Sequence, residues 1–158
     1  MIGEARHMES VTSFSIWNIV AESFVAIILM TLFSYIAGIL RKKQFTEPVI
    51  LNDLLRRINV VKSKNNYRNP LGWIIHYTVG LIFIICYHFI WSHNFLAPTV
   101  LNGALLGGVC GVIGIAGWHT TLSIHPNPPA IDLKEYYIQL FFAHVIFGIS
   151  ATITELVI

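Results

Sequence analysis

Residues 14–43 read FSIWNIVAESFVAIILMTLFSYIAGILRKK. From Phe14 to Leu40 the run holds one acid, Glu22, and no Lys, Arg or Pro, and it ends abruptly on Arg41-Lys42-Lys43. About 20 mainly apolar residues suffice to carry a helix across the hydrocarbon core of a bilayer. A basic cluster directly after such a run holds its end at the membrane surface. The run is longer than the apolar core of a secretory leader, roughly 7–15 residues, and the tail Met1–Ser13 before it is mixed polar rather than basic. A retained membrane-spanning helix is therefore expected.

Three more runs of similar character follow: Leu71–Trp91, Pro98–Leu122 and Leu133–Ile158. Together the four occupy most of the 158 residues, so 1–158 reads as a single integral membrane domain. The composition agrees, at 55% hydrophobic and 11% charged, where a soluble domain carries about 25% charged residues. The expected fold is an all-α, four-transmembrane-helix bundle with a basic loop, 41–70, between the first two spans. Of the ten Lys and Arg residues only Arg6 and Lys134 lie outside that loop. By the positive-inside rule the loop is cytoplasmic, both termini face outward, and Ser92–Ala97 forms an outer turn. Cys86 and Cys110 both fall inside spans, where free Cys packs as a small hydrophobe.

The basic loop has structure of its own. Across Thr46–Lys62, Leu51, Leu54, Leu55, Ile58 and Val61 recur at helical spacing, and Pro48 suits a first turn. This predicts an amphipathic helix on the inner leaflet, with Arg56, Arg57 and Lys62 directed at anionic lipid headgroups. Trp73 and Trp91 bracket the second run as interfacial anchors. The third run carries Gly103, Gly107 and Gly111 at four-residue intervals, the small-residue spacing that lets helices approach closely in lipid. That stripe serves either internal packing, the favoured reading, or a homo-oligomer contact. The turn His125-Pro126-Asn127-Pro128-Pro129 then stops the helix, and Asp132 with Glu135 forms a capping-box-like start for the fourth.

Ionisable groups inside spans are expensive in lipid and are candidate functional residues by default. They form two zones. The outer zone holds Glu22, His88, His93 and Glu155 with Asn18. These residues read first as interfacial or mutually paired groups, and alternatively as a small carboxylate–imidazole cation site. The inner zone holds His76, His119, His125 and His144 with Asp132 and Glu135. His76, His119 and His144 come from three different spans at comparable depth. They are the candidate metal ligands, and two on facing helices could hold a haem iron. The plain alternative is that His144 hydrogen-bonds a neighbouring helix while the others meet headgroups. On the fourth helix His144, Gly148, Ala151 and Glu155 share one face, which should point into the bundle.

Other chemistries lack their residues. There is no GxSxG, no well-placed Cys–His pair, no paired intramembrane aspartates and no GK[ST] after the glycines. The basic loop lacks the interleaved aromatics of a single-stranded nucleic-acid binder. Broken midplane helices and a charged pore ring are missing, so a transporter is disfavoured and an oligomeric channel is a weaker alternative.

The glycine-rich third span, the Thr46-Glu47-Pro48 loop start and the His125-Pro126-Asn127-Pro128-Pro129 turn together resemble small bacterial multi-pass inner-membrane proteins of the YagU-like group. That resemblance concerns layout and implies a bacterial inner-membrane location without a defined chemistry or cofactor. The leading functional expectation is a non-enzymatic accessory or structural membrane protein that contacts lipid or a protein partner. The alternative is a histidine-ligated metal or haem protein.

Overall fold

A computed structural model describes residues 15–61, 65 and 67–158. Met1–Ser13 and Lys62 lie outside them. The helices are α1 (Ile16–Arg41), α2 (Glu47–Arg57), α3 (Pro70–Ser92), α4 (Val100–Ile124) and α5 (Leu133–Val157). All except α2 are long and apolar enough to span a membrane, and the protein is a multi-pass membrane protein. The arrangement has a basic end, where α2 and the Pro-rich turn lie, and a far end, where α3 turns into α4.

The spatial order differs from the chain order. α5 packs on both α4 and α1, while α3 packs on α1 and carries α2. The last helix is thus the central one, with 44% of its apolar window buried against 28%, 22% and 22% for α1, α3 and α4. The outer surface is correspondingly apolar: Trp17, Phe24, Leu32, Ile82, Leu105 and Phe142 are all exposed. In water such a belt would drive association, whereas in a bilayer it meets lipid tails.

α1 is amphipathic in the inverted sense. Its buried stripe is Ile19, Glu22, Ser23, Ala26, Ile27, Met30 and Ser34, so its polar groups face protein and its apolar ones face lipid. The hydroxyl of Ser23 donates back to the carbonyl of Ile19 at 2.7 Å, which removes it from the lipid problem. Along α4, a Cβ on Gly103 would stand 2.7 Å from the Gly148 carbonyl oxygen. One on Gly107 would stand 2.3 Å from that of His144, and one on Gly111 would meet Phe141 at 3.1 Å. The stripe is thus occupied by α5. A Cβ on Gly148 would in turn lie 2.1 Å from the Gly103 carbonyl oxygen, so here the two backbones touch.

The helix starts are capped by sequence. Asn69 accepts from the Leu71 amide at 2.9 Å ahead of Pro70, Thr99 from Asn102 at 3.3 Å and Asp132 from Glu135 at 3.2 Å. The carboxylate of Glu135 does not return to the cap but reaches across to α1. Arg41 pairs with it at 3.0 Å, and Lys43 bridges Asp132 at 2.8 Å and Glu135 at 3.1 Å. These contacts hold the Lys43 ammonium above its usual range and the Asp132 carboxyl below its own.

α2 corrects the surface-helix expectation. It is shorter than Thr46–Lys62, because Asn59 turns the chain at φ 62°. Its buried residues, Glu47, Pro48, Val49, Ile50, Asn52 and Leu54, face protein rather than lipid. Asn52 is fully buried, donating to the Asn69 carbonyl at 2.9 Å and accepting from the Gly72 amide at 2.8 Å. A Cβ on Gly72 would sit 2.3 Å from the Pro48 carbonyl oxygen, so only glycine admits α2 this closely. Arg56 and Arg57 both pair with Asp53, Arg57 at 2.8 Å. These two cations are thereby partly neutralised within their own helix. Cys110 packs in the core, while Cys86 is exposed on the outer surface of α3.

Candidate functional site

At the far end, α1, α3 and α5 each deliver one ionisable side chain to a single point. Glu22 is fully buried, and His88 Nε2 lies 3.0 and 3.1 Å from its two carboxylate oxygens. Glu155 completes the group: one ligand atom from each of Glu22, His88 and Glu155 lies within 4.8 Å of the others. Register explains the convergence. Glu22 stands on the Ser/Ala stripe of α1. His88 follows Gly80, Ile84 and Tyr87 on the buried face of α3. Glu155 lies four residues after Ala151 on the face of α5 that buries His144 and Gly148. The Trp91 ring stands edge-on to His88 with centroids 5.3 Å apart and closes the α3 side.

Two carboxylates and one imidazole in a membrane span carry more negative charge than the imidazole can neutralise. Ionised groups in lipid must be paired, so this group calls for a cation, either a proton or a metal ion. Tetrahedral ligation at bonds of 2.0–2.1 Å sets ligand atoms about 3.3 Å apart, close to the His88–Glu22 separation. Small movements of Glu155 would complete a three-ligand shell.

The three inner histidines are not brought to one point. His119 is exposed and reaches Tyr137 Oη at 3.3 Å along the α4–α5 surface. His76 Nε2 meets Thr31 Oγ1 of α1 at 3.1 Å. His144 donates Nδ1–H to the Leu140 carbonyl at 2.8 Å. Among the described residues the only three-ligand group is the far-end one. His76 and His144 nevertheless line the same cavity, of about 340 Å³, between α3 and α4 and above α2. His125 is a structural residue. Its Nδ1 accepts from the Asn127 amide at 3.1 Å, leaving Nε2–H to donate to the Leu54 carbonyl at 3.1 Å.

A second polar group lies at the basic end. Ser34 donates to Glu47 Oε1 at 3.1 Å and accepts from Gln139 Nε2 at 2.7 Å. Glu47 Oε2, Gln139 Oε1 and the Tyr136 hydroxyl are buried without a hydrogen-bond partner among the described residues. Burial pushes the Glu47 carboxyl up to about 7. Neither group has a metal-type spacing: Glu22, His88 and Glu155 lie 66 and 67 residues apart, and Ser34, Glu47 and Gln139 lie 13 and 92 apart. The signal that finds them is a polar residue on the small-residue face of an apolar helix, as at Glu22, Ser34 and Gln139.

No protein family, curated protein or solved structure matches the chain.

Proposed function

We propose that the protein is a non-enzymatic multi-pass membrane protein that binds a first-row divalent metal cation through Glu22, His88 and Glu155. The convergence of two carboxylates and an imidazole from three spans carries this reading. A dication with two carboxylates and a neutral imidazole sums to zero charge, the state least costly to bury in a bilayer. A mixed nitrogen–oxygen shell suits zinc, iron(II) or manganese(II) better than calcium or copper(I). Without the metal, two protons, one between His88 Nε2 and Glu22 and one on Glu155, balance the same charge, so binding releases protons.

The charge bias supports an orientation with the basic end in the cytoplasm and the site in the outer half of the membrane. A bacterial inner-membrane location and membership of the YagU-like group are further parts of the proposal, resting on the layout of the loop, glycine stripe and Pro-rich turn. Exposed cations at the basic end, Lys42 and Arg68 among them, support contact with anionic headgroups.

The test is elemental analysis of protein purified in mild detergent without a histidine tag after growth with added zinc, iron and manganese. One metal per chain is expected in the wild type and in a His76→Gln/His119→Gln/His144→Gln protein. At least a tenfold loss is expected in His88→Gln and in Glu155→Gln. Metal-free wild type, or metal kept by His88→Gln and lost from the triple variant, would overturn the site.

A further inference from the structure

The cavity between α3 and α4 is independent of the far-end cluster. It exists because these two consecutive helices are held together through α1 and α5 rather than by each other. Gly114 and Gly117 leave the α4 wall without side chains, and a Cβ on Gly117 would meet nothing within 4 Å. Ile75, Val79 and Ile113 line the cavity and are also exposed on the bundle exterior, so its mouth opens sideways into the lipid layer. Phe83, Trp118 and Phe147 make the interior aromatic. At about 340 Å³ it lies at the small end of ligand-sized pockets, roughly 300–1,000 Å³.

His76, His144 and Glu47 bring polar groups into this otherwise apolar space. His144 commits Nδ1–H to the Leu140 carbonyl at 2.8 Å. In the neutral ring Nε2 is therefore a bare acceptor. It points towards Gly114, where a Cβ would lie 3.2 Å from it, and no protein group hydrogen-bonds to it among the described residues. Glu47, 3% exposed, also lines the cavity, and its Oε2 has no hydrogen-bond partner among the described residues. Glu47 connects through Ser34 to Gln139, about one and a half turns before His144 on α5, a rise of about 7.5 Å along that helix.

We propose that this cavity binds the ring of a lipid-tailed p-quinol, with one hydroxyl donating to His144 Nε2, the other hydrogen-bonded to the Glu47 carboxyl, and the tail leaving between α3 and α4. A flat ring with a hydroxyl at each end offers one hydrogen-bonding group towards His144 and another towards Glu47. The three aromatic side chains give that ring edge and face contacts. Other lipid-layer ligands answer fewer of these features. A fatty acid brings a second carboxylate to Glu47. A phospholipid head needs a cation, and no Lys or Arg lines the cavity. A single-hydroxyl lipid leaves one of these two groups unmet. A metal is disfavoured, because His76, His144 and Glu47 do not form a converging ligand group.

The test uses the full chain in phosphatidylcholine nanodiscs, titrated anaerobically with a benzoquinol bearing a ten-carbon tail, with empty nanodiscs subtracted. The probe should saturate at one per chain. Its dimethyl ether, which has the same ring and tail but no donors, should bind at least tenfold more weakly, as expected for the loss of hydrogen bonds worth about 1 kcal/mol each. Gly117→Leu, placed in open space, should fill the cavity and abolish saturable binding without loss of thermal stability. His144→Phe should weaken the quinol about tenfold and leave the ether unchanged. Equal binding of quinol and ether would show an occupant held by its tail alone. Unchanged binding in Gly117→Leu would place the quinol elsewhere, and no saturable binding in the wild type would leave the cavity without this ligand. Each of these three results overturns the proposal.

Discussion

Glu47 is the residue whose chemistry is most sensitive to its surroundings. It opens α2, is buried under the bundle, and accepts from Ser34 with one oxygen while the other has no hydrogen-bond partner among the described residues. Burial raises its carboxyl to about 7 from an ordinary value of 4.5. The folded state therefore holds the proton more tightly than the unfolded state. Stability from this group is full below about pH 4.5, falls as pH rises towards 7, and levels off above that. The loss amounts to about 3 kcal/mol. Detergent-solubilised wild type should accordingly lose on the order of 5–10 °C in Tm between pH 5 and pH 8. Glu47→Gln, which keeps the neutral shape, should flatten that dependence. A Glu47→Gln profile as steep as the wild type would assign the titration to another group.

Among the elements, α4 and α5 are joined by absence of side chains. Gly103, Gly107 and Gly148 bring backbone against backbone, which in lipid, where no hydrophobic effect drives helices together, is a main source of association. Gly148→Ala forces a methyl to within 2.1 Å of a carbonyl oxygen and should cost about 1–3 kcal/mol. Gly117→Ala meets no atom within 4 Å and should be neutral or stabilising by up to about 1 kcal/mol, since alanine is the better helix former. Thermal denaturation of the two variants side by side checks this, and equal Tm values would mean that the helices are held by other contacts. α2 makes a related point. Its hydrophobic spacing was legible, but its destination was not, because a helix with one apolar face can lie on lipid or on protein. Asn52 decided between them: its amide reads the start of α3 through the Asn69 carbonyl and the Gly72 amide.

The whole molecule combines a charge asymmetry along its axis with a central last helix. The basic end carries Arg41, Lys42, Lys43, Arg56 and Arg57, and the far-end turn Ser92–Ala97 carries no Lys or Arg. The positive-inside rule then gives a topology experiment. With Cys86 and Cys110 replaced by Ala, a single cysteine at Asn94 should label from outside intact cells with an impermeant maleimide. One at Asn127 should label only after lysis, and the reverse pattern would invert the orientation.

The four spans, the capped helix start at Asp132, and the grouping of polar residues at two depths were readable from residue order. Apolar run length, capping chemistry and charge clustering are local properties of the chain. Which polar residues meet was not readable. Spacing placed His76, His119 and His144 at similar depth, but depth leaves rotation about each helix axis and the order of helices undetermined. Packing fixes both. The close α4–α5 contact turns His119 outward to Tyr137 and His144 inward towards the cavity, and the position of α5 beside α1 joins Glu155 to Glu22 and His88. The sequence therefore set what this chain is made to cross. The fold selected which of its carboxylates and imidazoles share a site, because that choice depends on contacts between helices far apart in the chain.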